Sequence, residues 1–129
     1  MPSQTPRSRS LLSHLFRLIE PDDLRVLIRH LTQAVRNLTA PNEPVTELTY
    51  SETISYFVNE RPDDPRIVKG AVLLMPRRPV IQVHFLFLNE QNAPLCNSLG
   101  DLYGRTLLAV RLDDEFQEAF GGTDLLILE

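Results

Sequence analysis

The sequence predicts an α+β domain, in which an N-terminal helical hairpin packs on a mainly antiparallel sheet of about five strands and a short helix precedes the last strand. Three observations carry this. Leu24, Leu27, Ile28, Leu31, Val35 and Leu38 recur at the spacing of one helix face, the mark of an amphipathic helix. After Pro41 and Pro44 the apolar period falls from 3.6 to 2. The rest of the chain is a series of short apolar runs at 67–75, 80–88, 105–112 and 125–128, separated by Pro, Gly, Asn and Asp, which is strand and turn composition. Helices gathered before strands point to α+β rather than to an alternating parallel fold.

The length of 129 residues suits one domain, because two halves would each be too small to bury a good core. A content of 43% hydrophobic and 23% charged residues is that of an ordinary globule and excludes a disordered or collagen-like chain. No run approaches the ~18 apolar residues of a spanning helix, so no membrane partner is expected. Cys96 is the one cysteine, which excludes an intramolecular disulfide and a cysteine-built zinc site.

Residues 1–10 (MPSQTPRSRS) hold two Pro, three Ser and two Arg and read as a flexible lead-in to a single domain over 11–129. They lack the apolar core of a secretory signal, and a cytoplasmic setting is expected. The stretch to Ile19 has Arg17 and no acid, the make-up of an organellar transit peptide as well as of a short amphipathic start. Leu11, Leu12, Leu15, Leu18 and Ile19 are spaced for a first helix over 11–19. Pro21-Asp22-Asp23 then opens the second, which is expected to run to about Leu38.

Leu48, Tyr50, Ile54, Tyr56 and Val58 occupy even positions, with Thr49, Ser51, Thr53 and Ser55 on odd ones. The alternation predicts a half-buried strand, although 51–58 also fits the start of a helix. Strands are predicted over 67–75 and 80–88, joined by the four-residue loop Pro76-Arg77-Arg78-Pro79. The second of these is apolar on both faces. Residues 89–104 form a long irregular stretch, a length that marks functional or partner-contacting loops. A strand over 105–112 leads into Asp113-Asp114-Glu115, which cap a helix over 114–120 that Gly121-Gly122 stops. Residues 125–128 close as a fifth strand. It would run parallel to its predecessor if the two were neighbours.

Charge divides unevenly: residues 1–40 carry net +3 and residues 41–129 net −7, within a formal −4. An acidic body repels nucleic acid. Three arginines on one helix face, Arg25, Arg29 and Arg36, neutralise few phosphates. Phosphate-binding glycine motifs and metal-ligand spacings are absent from the sequence, so neither cofactor nor metal is expected. The candidates for catalysis are weak. They are His84 with Cys96 as a base and nucleophile pair, or acids from Asp63-Asp64 and Asp113-Asp114-Glu115 meeting as a carboxylate pair.

What remains is a small non-enzymatic interaction protein, an adaptor, accessory subunit or immunity-type inhibitor. Its alternatives are a small enzyme using those candidates and a nucleic-acid regulator using the arginine face. The partner expected is another protein chain, most simply a second copy forming a homodimer. The contact residues expected are His84, Leu86 and Leu88 on the less apolar face of the 80–88 strand, with Arg77 and Arg78 at the hairpin tip. That face is expected to have only the 114–120 helix and the long loop to cover it, the opposite Ile81, Val83, Phe85, Phe87 face being matched to the N-terminal helices.

Overall fold

A computed structural model describes residues 21–41 and 43–129. Among the described residues the chain is α+β, with three helices and one five-stranded mixed sheet. In chain order the elements are α1 (Pro21–Val35), β1 (Val45–Leu48), α2 (Tyr50–Asn59), β2 (Lys69–Arg77), β3 (Val80–Leu88), β4 (Gly104–Leu112), α3 (Asp114–Phe120) and β5 (Leu125–Leu128). The lead-in over 1–10 and the first helix over 11–19 lie outside the described residues.

The sheet order is β1-β4-β3-β2-β5. Three of its neighbouring pairs, β2 with β3, β2 with β5 and β3 with β4, are antiparallel. The fourth, β1 with β4, is parallel. The parallel contact is therefore made by β1, and β4 and β5 are not neighbours but lie at opposite ends of the β4-β3-β2-β5 run. Strand β5 pairs antiparallel with β2, Leu73 opposite Leu125.

The half-buried strand expected over 48–58 is a correction. The strand ends at Leu48, and Tyr50–Asn59 is helix α2. Thr49 and Glu52 decide it: the Thr49 hydroxyl accepts from Glu52 N–H and the Glu52 carboxylate accepts from Thr49 N–H. This reciprocal capping box satisfies two donors that a helix start would leave open. The helix turns Tyr50, Thr53 and Phe57 inward.

Strands β2 and β3 run to Arg77 and Val80, leaving a two-residue turn at Arg78-Pro79 in place of the four-residue loop. Pro76 fits inside β2 because of alternation. Leu74 donates its N–H to Asp124 O on the β5 side, so the nitrogen of Pro76 turns the same way, past the end of β5, where no ladder bond is lost.

Each sheet face has its own core. On one, Val72, Val83, Phe85, Phe87, Leu107 and Leu126 pack under Phe57 of α2 and Phe116 and Phe120 of α3. On the other, Ala71, Leu73, Leu86, Leu88, Leu125 and Ile127 pack under Leu31 and Val35 of α1. This exchanges the expected layers: the phenylalanine face takes α2 and α3, and the Leu86, Leu88 face takes α1. Strand β3 is apolar on both sides because it is the middle strand with a helix layer above and below.

Two glycines are needed where they stand. A side chain on Gly70 would enter the ring of Phe57, 2.6 Å from an ideal Cβ, and one on Gly104, at φ +133°, would meet the carbonyl of Phe85. Gly104 is the hinge at which the 89–103 loop becomes β4.

Candidate interaction surface

Strand registry sets the residues of the α1-side face in rows. Leu125, Leu73, His84 and Thr106 form one row across four strands, Met75, Gln82 and Leu108 the next. Arg77 and Val80 pair beyond them, and alternation along β4 and β1 adds Val110 and Thr46. The apolar cluster beneath α1 draws its strand residues from β2, β5 and the far half of β3, with Leu102 of the loop and Met75 at its margin. The β4 side of the face forms a separate strip, made by Val80, Gln82, His84, Thr106, Leu108 and Val110.

This strip is mixed in burial. His84 is 0% exposed and Gln82 7%, while Val110 is 49% exposed and Val80 and Leu108 are half-buried. Arg77 and Arg78 stand exposed at its hairpin end. Row neighbours explain the pairing at its centre: His84 Nδ1 and Thr106 Oγ1 are 2.9 Å apart. His84 Nε2 is buried and has no hydrogen-bond partner among the described residues. Burial, with a smaller push from the Arg77 charge, brings the imidazole pKa down to about 4, because neither a buried site nor a nearby cation favours the protonated ring.

Of the contact residues expected from sequence, Arg77 and Arg78 are exposed, whereas His84, Leu86 and Leu88 are all buried, Leu86 and Leu88 beneath α1. The strip continues onto Thr106, Leu108 and Val110 of β4, which the sequence reading did not single out. Their signal was present: β4, like β3, carries apolar residues on both parities, Leu107 and Ala109 against Leu108 and Val110.

The structure does not bring His84 and Cys96 together. Leu88, four residues along β3 from His84, bridges to Pro94, and Cys96 lies beyond it, bridged to Leu102. Cys96 instead lines a shallow depression with Asp64, Arg66, Asn97 and Tyr103. There Asp64 accepts from Arg66 Nε at 3.0 Å and Nη2 at 2.6 Å, and from the Tyr103 hydroxyl at 3.1 Å. Arg66 Nη2 also donates to Cys96 O. The Arg66 hydrogen bonds hold the Asp64 carboxyl well below the usual carboxylate range, helped by Tyr103. The cluster ties the 59–66 turn to the 89–103 loop. Leu95 of that loop joins the phenylalanine core and donates its N–H to Phe87 O at 3.0 Å.

The second acid group is also occupied. Asp113 Oδ1 accepts from Phe116 N–H at 3.1 Å, capping α3, and from Tyr50 N–H at 3.0 Å, at the start of α2. Asp64 and Asp113 thus serve different joints and do not form a carboxylate pair. Among the described residues no group of three or more His, Cys, Asp or Glu is gathered to hold a metal, and no helix is long and apolar enough to cross a membrane. Arg25, Arg29 and Arg36 are exposed on α1 and its end, with Arg25 3.6 Å from Asp22. Compared with protein-family models, curated proteins and solved structures, the chain matches none.

Proposed function

We propose that the protein is a non-enzymatic interaction module of the cytoplasm that docks another protein chain, most simply its own copy, on the β4 side of the α1-side face. The observation that carries this is the half-exposed Val110 beside Val80 and Leu108. An apolar strip ending at two exposed arginines has the make-up of an association surface, an apolar centre with a polar rim. A symmetric pair would bring the same strip from each copy together. The test is light scattering after size exclusion at high micromolar concentration. A dimer is expected, and Leu108→Asp combined with Val110→Asp should give a folded monomer. A wild-type protein that stays monomeric overturns self-association.

A further inference from the structure

We infer that the open edge of β1 takes β1 of a second copy, antiparallel about Thr46, so that the two sheets join into one. The inference rests on the self-association just proposed and names the contact through which the copies meet.

The two edges of the sheet differ. At β5 the edge is closed: Leu125, Leu126, Ile127 and Leu128 are 0–6% exposed. Leu74 N–H bonds to Asp124 O, so the next carbonyl, Leu125 O, points away from β2, where it accepts from the Thr123 hydroxyl at 3.1 Å. At β1 the edge is open. Val45 is 39% exposed, and Glu43, Pro44 and Thr46 are exposed as well. Among the described residues β4 is its strand partner. Leu48 O accepts from Asp113 N–H on that side at 3.2 Å. Backbone direction alternates along a strand, so Leu48 and Thr46 face β4 while Val45 and Glu47 turn N–H and C=O outward. Such an unpaired row is a template for another strand. Pro44 has the parity of Thr46, so its missing N–H leaves the outer row whole.

Charge selects the register. Outward residues pair with outward residues, which places the two-fold at Val45, Thr46 or Glu47. At Val45 it sets Glu43 opposite Glu47 of the second copy, and at Glu47 it sets the two Glu47 side chains opposite each other. Like charges so placed repel. At Thr46 neither clash occurs. Val45 and Glu47 then exchange both backbone bonds with Glu47 and Val45 of the second copy, and Thr46 meets Thr46, a favourable cross-strand pair. Arg111 of β4 holds the Glu47 carboxylate at 3.2 Å, on the side away from the new strand. Thr46 lies in the row of Val110, between the Val45–Ala109 and Glu47–Arg111 pairs. The same two-fold therefore sets the two apolar strips side by side on one face of a continuous sheet.

The first experiment oxidises Thr46→Cys mildly in a Cys96→Ser background. Residues opposite each other in a pair without hydrogen bonds have Cα atoms about 4.5 Å apart, within disulfide reach. A covalent dimer is expected, formed about tenfold or more faster than with Val45→Cys or Glu47→Cys, each of which lies opposite the other position. Equal rates, or no cross-link, overturn the inference. The second removes one outward N–H without touching the β4 ladder: Glu47→Pro should raise the dimer dissociation constant by about tenfold or more while circular dichroism stays native, and Glu47→Ala should not. A folded Glu47→Pro that dimerises like wild type also overturns it. A dimer that Leu108→Asp with Val110→Asp converts to monomers, but that Thr46→Cys does not cross-link, keeps the docking reading and removes the edge contact. A Thr46→Cys cross-link in a dimer that the two aspartates leave intact does the reverse. A chain that stays monomeric at high micromolar concentration overturns both.

Discussion

On the phenylalanine face, the rings of Tyr56, Phe57, Phe85 and Phe87 stand 4.9–6.1 Å apart, and Phe116 stacks on Phe120 at 5.2 Å. On the α1 face there are aliphatic side chains, one buried histidine and a valine half in solvent. The first face is closed by two helices whose starts share one carboxylate, Asp113. The second takes one described helix, which meets only part of it. Two helix layers and interlocked rings seal the first face, so its side chains are expected to contribute more to stability than those of the second.

The largest expected effect lies on the closed face. Phe116→Ala or Phe85→Ala should cost about 3–5 kcal/mol in denaturant unfolding, the range for emptying a packed aromatic site. A loss below that of the α1-face variants would reverse the ranking of the two faces. Leu31→Ala, on the fully buried side of α1, should cost about 2–4 kcal/mol. Leu27→Ala should cost less, because Leu27 is only half-buried.

Acid separates the faces further. His84 titrates near 4 in the folded protein and near 6.5 unfolded, so the unfolded chain takes up the proton first. Its contribution is complete above pH 6.5 and is lost as pH falls toward 4, amounting to about 1–2 kcal/mol between pH 7 and 5. His84→Leu should flatten that part of the stability profile, and an unchanged slope would show that the ring is not held neutral. Asp64 works at lower pH. Its depressed carboxyl adds stability above the ordinary carboxylate pKa that is lost as acid protonates it, so Asp64→Asn should weaken the protein at pH 7 and leave little difference in strong acid.

The smallest effect is expected at Val110. Val110→Asp should change monomer stability by no more than about 0.5 kcal/mol, as exposed positions do. A loss of several times that, with the oligomeric state unchanged, would show that the strip is sealed core.

The elements legible in the sequence were those governed by local pattern. Strands β3 and β5 and helix α3 run as their apolar spacing and caps predict, and β2 and β4 differ only at their ends. Tyr50–Asn59 reads two ways in the sequence, because Ile54, Tyr56 and Val58 alternate as a strand would while 51–58 also fits a helix start; the Thr49 and Glu52 cap prevails, and Phe57 then reaches Phe85 and Phe87. Which helix layer covers which sheet face was not legible. Both faces of β3 are apolar, and the choice depends on pairings such as β1 with β4 that no short window contains. The site was half legible for the same reason. Arg77, Arg78 and His84 stood out by residue type, but Thr106, Leu108 and Val110 join them only through strand register.

The shared carboxylate of Asp113 also bears on synthesis. Tyr50 and Asp113 are 63 residues apart, and β1 has its described strand partner in β4, late in the chain. While the ribosome is still making residues 50–100, the nascent β1–α2 segment has neither its strand neighbour nor its second cap. It must wait, exposed, for the C-terminal quarter to emerge. A chain interrupted before Asp113 would leave that segment a substrate for chaperones or proteases.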